Sequence, residues 1–343
     1  MNSMIFAGML LAVASGLMNG SFTLPMRFLG RWKWENVWSL FILFSCVLLP
    51  TAMVTLVAPH SWLIIARAPA HALLSATLTG FAWGFGALLF GQSVSAIGIS
   101  LANTLVLAIS SALGSLLPMV LLSPNKLLEP AGEKILASVL VEVAGIALCG
   151  WAGRLRERTA DAGTGRGEMV GQARPLKVAL LMACGAGVLS AVFNIGFTLA
   201  QPIAACGRAN GLSNFAATNL IWWIMLSAGA VSNLAFCLYL IYRNDSMRKF
   251  SQPGAARLFS LSLLMALLWG GSIFVYGASV PRLGSLGTSI GWPLSLAVGL
   301  LFANAIGIGL GEWRLAPPRA RLWMYSGIAV LLAAVVLLGH TSL

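Results

Sequence analysis

The apolar positions of this chain lie in long, nearly unbroken runs bounded by charged or turn-forming residues, without the alternation of a half-buried strand or the one-sided stripe of a soluble helix. A helix needs about 20 apolar residues to cross the hydrocarbon of a bilayer. Ten runs approach that length, at 4–24, 37–57, 73–93, 97–122, 135–151, 178–200, 216–242, 258–279, 286–310 and 322–339. They predict an all-α integral membrane protein of ten transmembrane helices, the third and fourth joined by a short turn at 96–98. Pro50, Pro118 and Pro293 fall inside runs, where each removes a backbone donor and is expected to kink its helix. The amino terminus, MNSMIFAG, lacks the positive segment that opens a cleaved leader, so its run is read as a retained first span.

Composition sharpens this reading. Of the 343 residues 59% are hydrophobic and 9% charged, against about 25% charged in a soluble globular protein, which excludes a water-soluble enzyme. The net charge of +12 is sided: sixteen of the 21 Lys and Arg fall in loops after odd-numbered runs and five in loops after even-numbered runs. Cytoplasmic loops carry such an excess, so the basic loops are expected in the cytoplasm and both termini outside it. The charge is topology, not a nucleic-acid site. The stretch 154–177, RLRER followed by DAGTGRG, cannot bury a core and is read as a cytoplasmic linker. Its GTGRGEMVG follows no strand and ends in no Lys-Ser/Thr pair, so it is not a phosphate loop. Trp32, Trp34, Trp38, Trp62, Trp151, Trp313 and Trp323 lie near run ends, where indoles form an interfacial belt. Cys46, Cys149, Cys184, Cys206 and Cys237 are scattered singly, with neither disulfide nor ligand spacing, and no metal or cofactor is expected.

The chain also repeats itself. Val13, Ser15, Asn19, Phe22, Thr23 and Leu24 of the first run recur as Val188, Ser190, Asn194, Phe197, Thr198 and Leu199 of the sixth. In the third and eighth, Trp83, Gly84, Gly91, Ser93, Val94 and Gly98 recur as Trp269, Gly270, Gly277, Ser279, Val280 and Gly284. The chain therefore reads as a five-helix repeat at 1–153, a linker at 154–177 and a second five-helix repeat at 178–343. Five is odd, so the copies enter the membrane from opposite sides. Such inverted repeats are the architecture of alternating-access transporters, with the site near the midplane where the copies meet. The glycine pairs Gly16/Gly20, Gly80/Gly84, Gly287/Gly291 and Gly307/Gly311 are read as close helix contacts. Packing alone does not require the repeated polar residues.

Several stretches carry a family resemblance spread along the whole chain: KWENVWS from Lys33 to Ser39, AGRLRER after the fifth run, NLAFC from Asn233 to Cys237, and Glu312-Trp313 after the ninth. Through them the chain resembles the L-rhamnose–proton symporter family of the drug/metabolite transporter superfamily. The resemblance implies a ten-helix secondary transporter of the inner membrane that takes up a deoxy-sugar with a proton.

A sugar site needs several hydrogen-bonding groups and a flat aromatic face. The candidates are Asn19 and Thr23, their copies Asn194 and Thr198, Gln92, Asn103, Trp83, Trp269, Tyr276, Trp292 and Asn304. Asn19 and Thr23 are four apart and share a helix face, as do Asn194 and Thr198. The repeated residues Asn19, Asn194, Trp83 and Trp269 are expected around one central cavity. Each amide has an alternative role, a hydrogen bond between helices. Pro293 beside Trp292 marks a candidate helix break, and of the adjacent Trp222 and Trp223 one is expected to face lipid. Among nine carboxylates only Glu142 sits inside a run. An ionisable residue there costs about 3 kcal/mol, which makes Glu142 the candidate proton carrier, with an interhelical hydrogen bond as the alternative and Glu35 or Glu312 as interfacial substitutes.

Rival functions fit less well. Gly287-Thr288-Ser289-Ile290-Gly291 has the spacing of a hydrolase elbow, but that turn needs a strand before it, and His60, His71 and His340 all lie at run ends. A membrane transferase would want a clustered acidic motif and a channel would want charged rings; the sequence has neither. Within the transporter class the alternative is an exporter of small metabolites or drugs. The topology has a direct consequence: a single cysteine placed in the linker should resist an impermeant thiol reagent applied to intact cells and react after permeabilisation.

Overall fold

The computed structural model describes residues 3–30, 32–97, 99–164 and 175–341. Among these, ten helices are long and apolar enough to cross a membrane: span 1 (Ser3–Phe28), span 2 (Trp34–Val57), span 3 (Ala70–Val94), span 4 (Ser100–Leu122), span 5 (Pro130–Thr159), span 6 (Leu176–Ala209), span 7 (Asn214–Arg243), span 8 (Ala255–Arg282), span 9 (Gly284–Gly309) and span 10 (Pro318–His340). All ten runs become helices, and the described residues contain no strand. A bilayer core offers backbone groups no water, so the helix is the form that satisfies them within each segment.

Boundaries shift where polar side chains find partners. The helix of span 5 continues through Thr164, so the segment expected to be linker begins as helix; 165–174 lie outside the described residues. Its charged extension grips the turn between spans 3 and 4. Arg154 donates to the Ile97 carbonyl at 3.0 Å, and Glu157 Oε1 accepts from the Ser100 amide at 3.1 Å and its hydroxyl at 2.8 Å. A carboxylate at a helix amino end is favourable both as a cap and against the helix dipole. Hydropathy sees charge in this segment but not these contacts.

The prolines act differently from one another. Span 2 widens into a π-helix at Leu43–Leu48 immediately before Pro50, because a proline removes one ladder donor and crowds the carbonyl four residues earlier. Pro118 and Pro293 stay inside continuous helices.

Packing repeats under exchange of the two halves. Span 1 packs on spans 8 and 9 as span 6 packs on spans 3 and 4; span 3 meets span 7 as span 8 meets span 2; and span 5 lies along span 10. Side chains obey the same exchange. Trp83 and Trp269, copies of each other, stack with centroids 5.3 Å apart at 12°. Ser15 pairs with Ser295 at 2.9 Å, and Ser190, the copy of Ser15, pairs with Ser110 at 2.9 Å. Ser110 and Ser295 are therefore equivalent, and the same register pairs Gly114 with Gly299 and Asn103 with Thr288. The stacked indoles straddle the axis that relates the halves.

Three of the four glycine pairs pack as expected; in span 9 a Cβ on Gly287 would meet the Val280 backbone and one on Gly291 would stand 3.3 Å from the Tyr276 ring, both on span 8. A Cβ on Gly20 would meet the Gly299 backbone, and one on Gly80 would meet the Met225 backbone, with its Cα at 2.7 Å. Gly84 is closed off by Gly229 in the same way. Gly311 does not belong to a helix contact: it lies beyond the end of span 9 with φ of 78°, in the turn that a side chain would strain. The contrast is testable by thermal unfolding of the purified protein. Gly80→Leu should destabilise it by about 1–3 kcal/mol or more through overpacking, whereas Gly309→Ala, where a Cβ meets nothing within 4 Å, should be close to neutral.

Candidate substrate cavity

A cavity of about 950 Å³ opens between the halves, within the range of small-molecule sites. Its wall comes from the carboxyl ends of spans 1, 3, 5, 7 and 9, the amino ends of spans 2, 4 and 10, and the Glu312-Trp313 turn. These ends share one side of the bundle, the side of the basic loops. The other side is filled by aromatic packing: Phe197 lies flat on Trp222 at 4.1 Å and 1°, Phe193 tilts against Trp222 at 5.4 Å, and Tyr276 meets Trp292 edge-on at 5.4 Å. Between cavity and plug sits a recess of about 150 Å³ lined by Phe22, Trp38, Phe41, Trp83, Ser190 and Trp269, among others. It shares Phe22, Trp38, Ala87 and Phe90 with the cavity wall.

Hydrogen bonding divides the candidate residues into two groups. Asn19, Thr23, Gln92, Asn103 and Asn304 all line the cavity. The side chains of Asn19, Thr23, Asn103 and Asn304 make no hydrogen bond among the described residues, and Asn304 Nδ2 is sealed from solvent without a partner. Asn194, Thr198, Tyr276 and Trp292 are instead engaged in the plug. Asn194 Nδ2 donates to the carbonyls of Gly114 at 2.8 Å and Thr288 at 3.4 Å, and Tyr276 donates its hydroxyl to Asn194 Oδ1 at 2.5 Å. Thr198 donates to the Asn194 carbonyl at 2.9 Å, and Trp292 Nε1 to the Ser110 carbonyl at 3.2 Å. The expectation of one cavity ringed by Asn19, Asn194, Trp83 and Trp269 is thus corrected: Asn19 lines the cavity, the two indoles line the recess, and Asn194 is fully buried beyond them. Opposite halves of an inverted repeat face opposite sides, so a one-sided cavity exposes one copy and encloses the other.

Interfacial residues enter the site more than belt chemistry suggests. Trp62, Trp151 and Trp323 are exposed as belt residues should be, but Trp34, Trp38 and Trp313 line the cavity. Trp34 and Trp38, one helical turn apart, stack at 5.3 Å, and Trp38 Nε1 donates to Asn233 Oδ1 at 3.2 Å. At the mouth Glu312 accepts from Arg27 at 2.9 Å and Arg156 at 3.3 Å, and the Arg156 guanidinium lies 4.8 Å over the Trp313 ring. Such exposed pairs contribute about 0–1 kcal/mol each; here they join span 1, span 5 and the turn after span 9. Glu35 is buried in a different role, accepting from Asn244 and Ser246 at 3.0 Å each and so fastening the first turn of span 2 to the loop after span 7. Trp222 and Trp223 both face inward: Trp222 is fully buried, and Trp223, half-buried, donates to Thr51 Oγ1 at 3.1 Å. Asn219, absent from the candidates, is buried in the plug with neither amide atom partnered among the described residues. Its only signal was a polar residue near the start of a run.

Glu142 is fully buried between helices. Ser111 of span 4 donates to its Oε2 at 2.8 Å, and Oε1 has no partner among the described residues. It lines neither the cavity nor the recess.

Ten spans in two exchanged halves, a cavity that carries polar side chains in a largely apolar wall and reaches the axis from one side, and a packed plug on the other, define a membrane transporter. The chain belongs to the family described as L-rhamnose-proton symport protein, whose profile matches residues 1–342. It is similar to the L-rhamnose-proton symporter of Yersinia pestis (strain Pestoides F), 24% identical over 346 residues that cover 99% of this chain and 98% of that protein. The L-rhamnose-proton symporter of Pectobacterium atrosepticum is 25% identical over 325 residues, 93% of this chain and 92% of that one. The family is one of transporters, not of enzymes.

Proposed function

We propose that this protein, a multi-pass protein of the inner membrane, imports a deoxy-sugar, L-rhamnose or a close relative, together with a proton by alternating access. The observation that carries the reading is the pairing of unengaged amides and a hydroxyl, at Asn19, Thr23, Asn103 and Asn304, with an indole-lined apolar recess. A sugar offers hydroxyls to the first and a C–H face or methyl group to the second. The names of the relatives support the sugar and the proton. Both termini lie outside and the basic loops inside, so this conformation is the one open to the cytoplasm.

Two features favour alternation. The wall of the cavity and the plug are built from copies of one another, so one packing can be exchanged for its mirror. The plug also encloses Asn219 and the Trp222 indole N–H without partners among the described residues. Each such group costs about 1–3 kcal/mol while enclosed, a cost relieved whenever that half opens. Glu142 is assigned the proton. Its carboxyl sits behind span 4, so water reaches it when spans 4 and 5 repack.

Counterflow of labelled L-rhamnose into proteoliposomes tests the substrate: exchange competed by deoxy-sugars is expected, and indifference to every monosaccharide would overturn the assignment. Asn103→Ala should raise the KM about 5- to 10-fold by leaving a sugar hydroxyl unpaired. Glu142→Gln preserves shape and removes titration, so it should keep energy-independent exchange while losing accumulation against a gradient; unchanged accumulation would make Glu142 a packing residue.

A further inference from the structure

The plug is held by a four-part latch, and its copy stands open in the cavity. In the closed latch the Asn194 amide donates to the carbonyls of Gly114 and Thr288 while the Tyr276 hydroxyl donates to Asn194 Oδ1. The register of the halves maps Asn194 to Asn19, Gly114 to Gly299, Thr288 to Asn103 and Tyr276 to Phe90. All four copies line the cavity. Asn19 forms no side-chain hydrogen bond among the described residues, although its Nδ2 lies only 3.5 Å from where a Cβ on Gly299 would stand. One latch is therefore made and the other unmade, as a structure open to one side requires of two copies of one device.

The copies differ at one atom that matters. Phe90 has no hydroxyl to give Asn19 Oδ1, so the second latch lacks the bond that Tyr276 supplies to the first. We infer that Asn19, with the carbonyls of Gly299 and Asn103, is the latch that closes the cavity side, and that a substrate hydroxyl donating to Asn19 Oδ1 replaces the hydroxyl missing at Phe90. The inference rests on the alternating-access reading above and deepens it. Its consequence is a carrier that rests open toward the basic loops when empty and closes there once substrate completes the latch. One net hydrogen bond biases such an equilibrium about 2- to 10-fold, enough to tilt populations without freezing them. The same arrangement gives the substrate its differential contact between states, without which binding shifts nothing.

The test uses the full chain, purified in detergent with its five native cysteines replaced, and two reporters at mirror positions. Ala87→Cys sits in the cavity wall, and its copy Ile273→Cys sits in the closed half at 7% exposure. Without sugar, Phe90→Tyr supplies the missing hydroxyl, so thiol labelling at position 87 should slow and labelling at 273 should quicken, each about 2- to 10-fold. Tyr276→Phe removes the corresponding bond from the closed latch and should quicken labelling at 273 on its own. L-rhamnose should mimic Phe90→Tyr in the parent and add little to that variant. Parental rates in both Phe90→Tyr and Tyr276→Phe would overturn the latch. If Phe90→Tyr does not fold, an unchanged rate at 273 in Tyr276→Phe overturns it alone. A parent whose two reporters ignore L-rhamnose, and which shows no counterflow, would count against the transport reading and leave the sugar-free latch result standing.

Discussion

The stack of Trp83 on Trp269 is the contact on which the remaining geometry depends. Two copies of one residue can lie face to face at 5.3 Å only if the axis relating the halves passes between them, and that single placement fixes which surfaces of the other helices meet. The matching serine pairs, Ser15 with Ser295 and Ser110 with Ser190, follow from the same half-turn. So do the close approaches at Gly20 and Gly80, since a helix that must reach its partner across the axis has room for little more than a hydrogen. The indoles also form the boundary between the recess and the plug.

Around that axis the polar side chains sort by whether they are engaged. Hydrocarbon and packed protein penalise an unpaired amide or hydroxyl, so a fold with no transport duty would pair each one off. Here Asn194, Thr198, Tyr276 and Trp292 are paired and hold the plug, while Asn19, Thr23, Asn103 and Asn304 are left to the cavity. The division runs between copies of the same residues, Asn19 against Asn194 and Thr23 against Thr198. Residue type is equal within each pair, so the difference is one of position about the axis. The charged groups at the mouth belong to a separate layer: Arg27, Arg156 and Glu312 are partly exposed and link span 1, span 5 and the turn after span 9 weakly, whereas Glu35 is buried and fixes the first turn of span 2 to the loop after span 7.

The sequence by itself determined the ten spans, because crossing a bilayer demands uninterrupted apolar length and that demand is written residue by residue. It also determined the duplication, since Trp83 and Asn19 have recognisable copies, and it determined the family through motifs strung along the chain. What only the tertiary structure decided is which copy faces the cavity. Asn19 and Asn194 carry the same local signal, and nothing within either helix says which one will find a carbonyl across the axis. The same limit explains Trp34, Trp38 and Trp313, where the position near a run end is equally consistent with lipid or cavity, and Glu157, whose partner Ser100 lies on another span. Hydropathy is a property of one segment in its solvent, whereas a hydrogen bond across a pseudo-symmetric interface depends on two segments and on the side to which the bundle happens to be open.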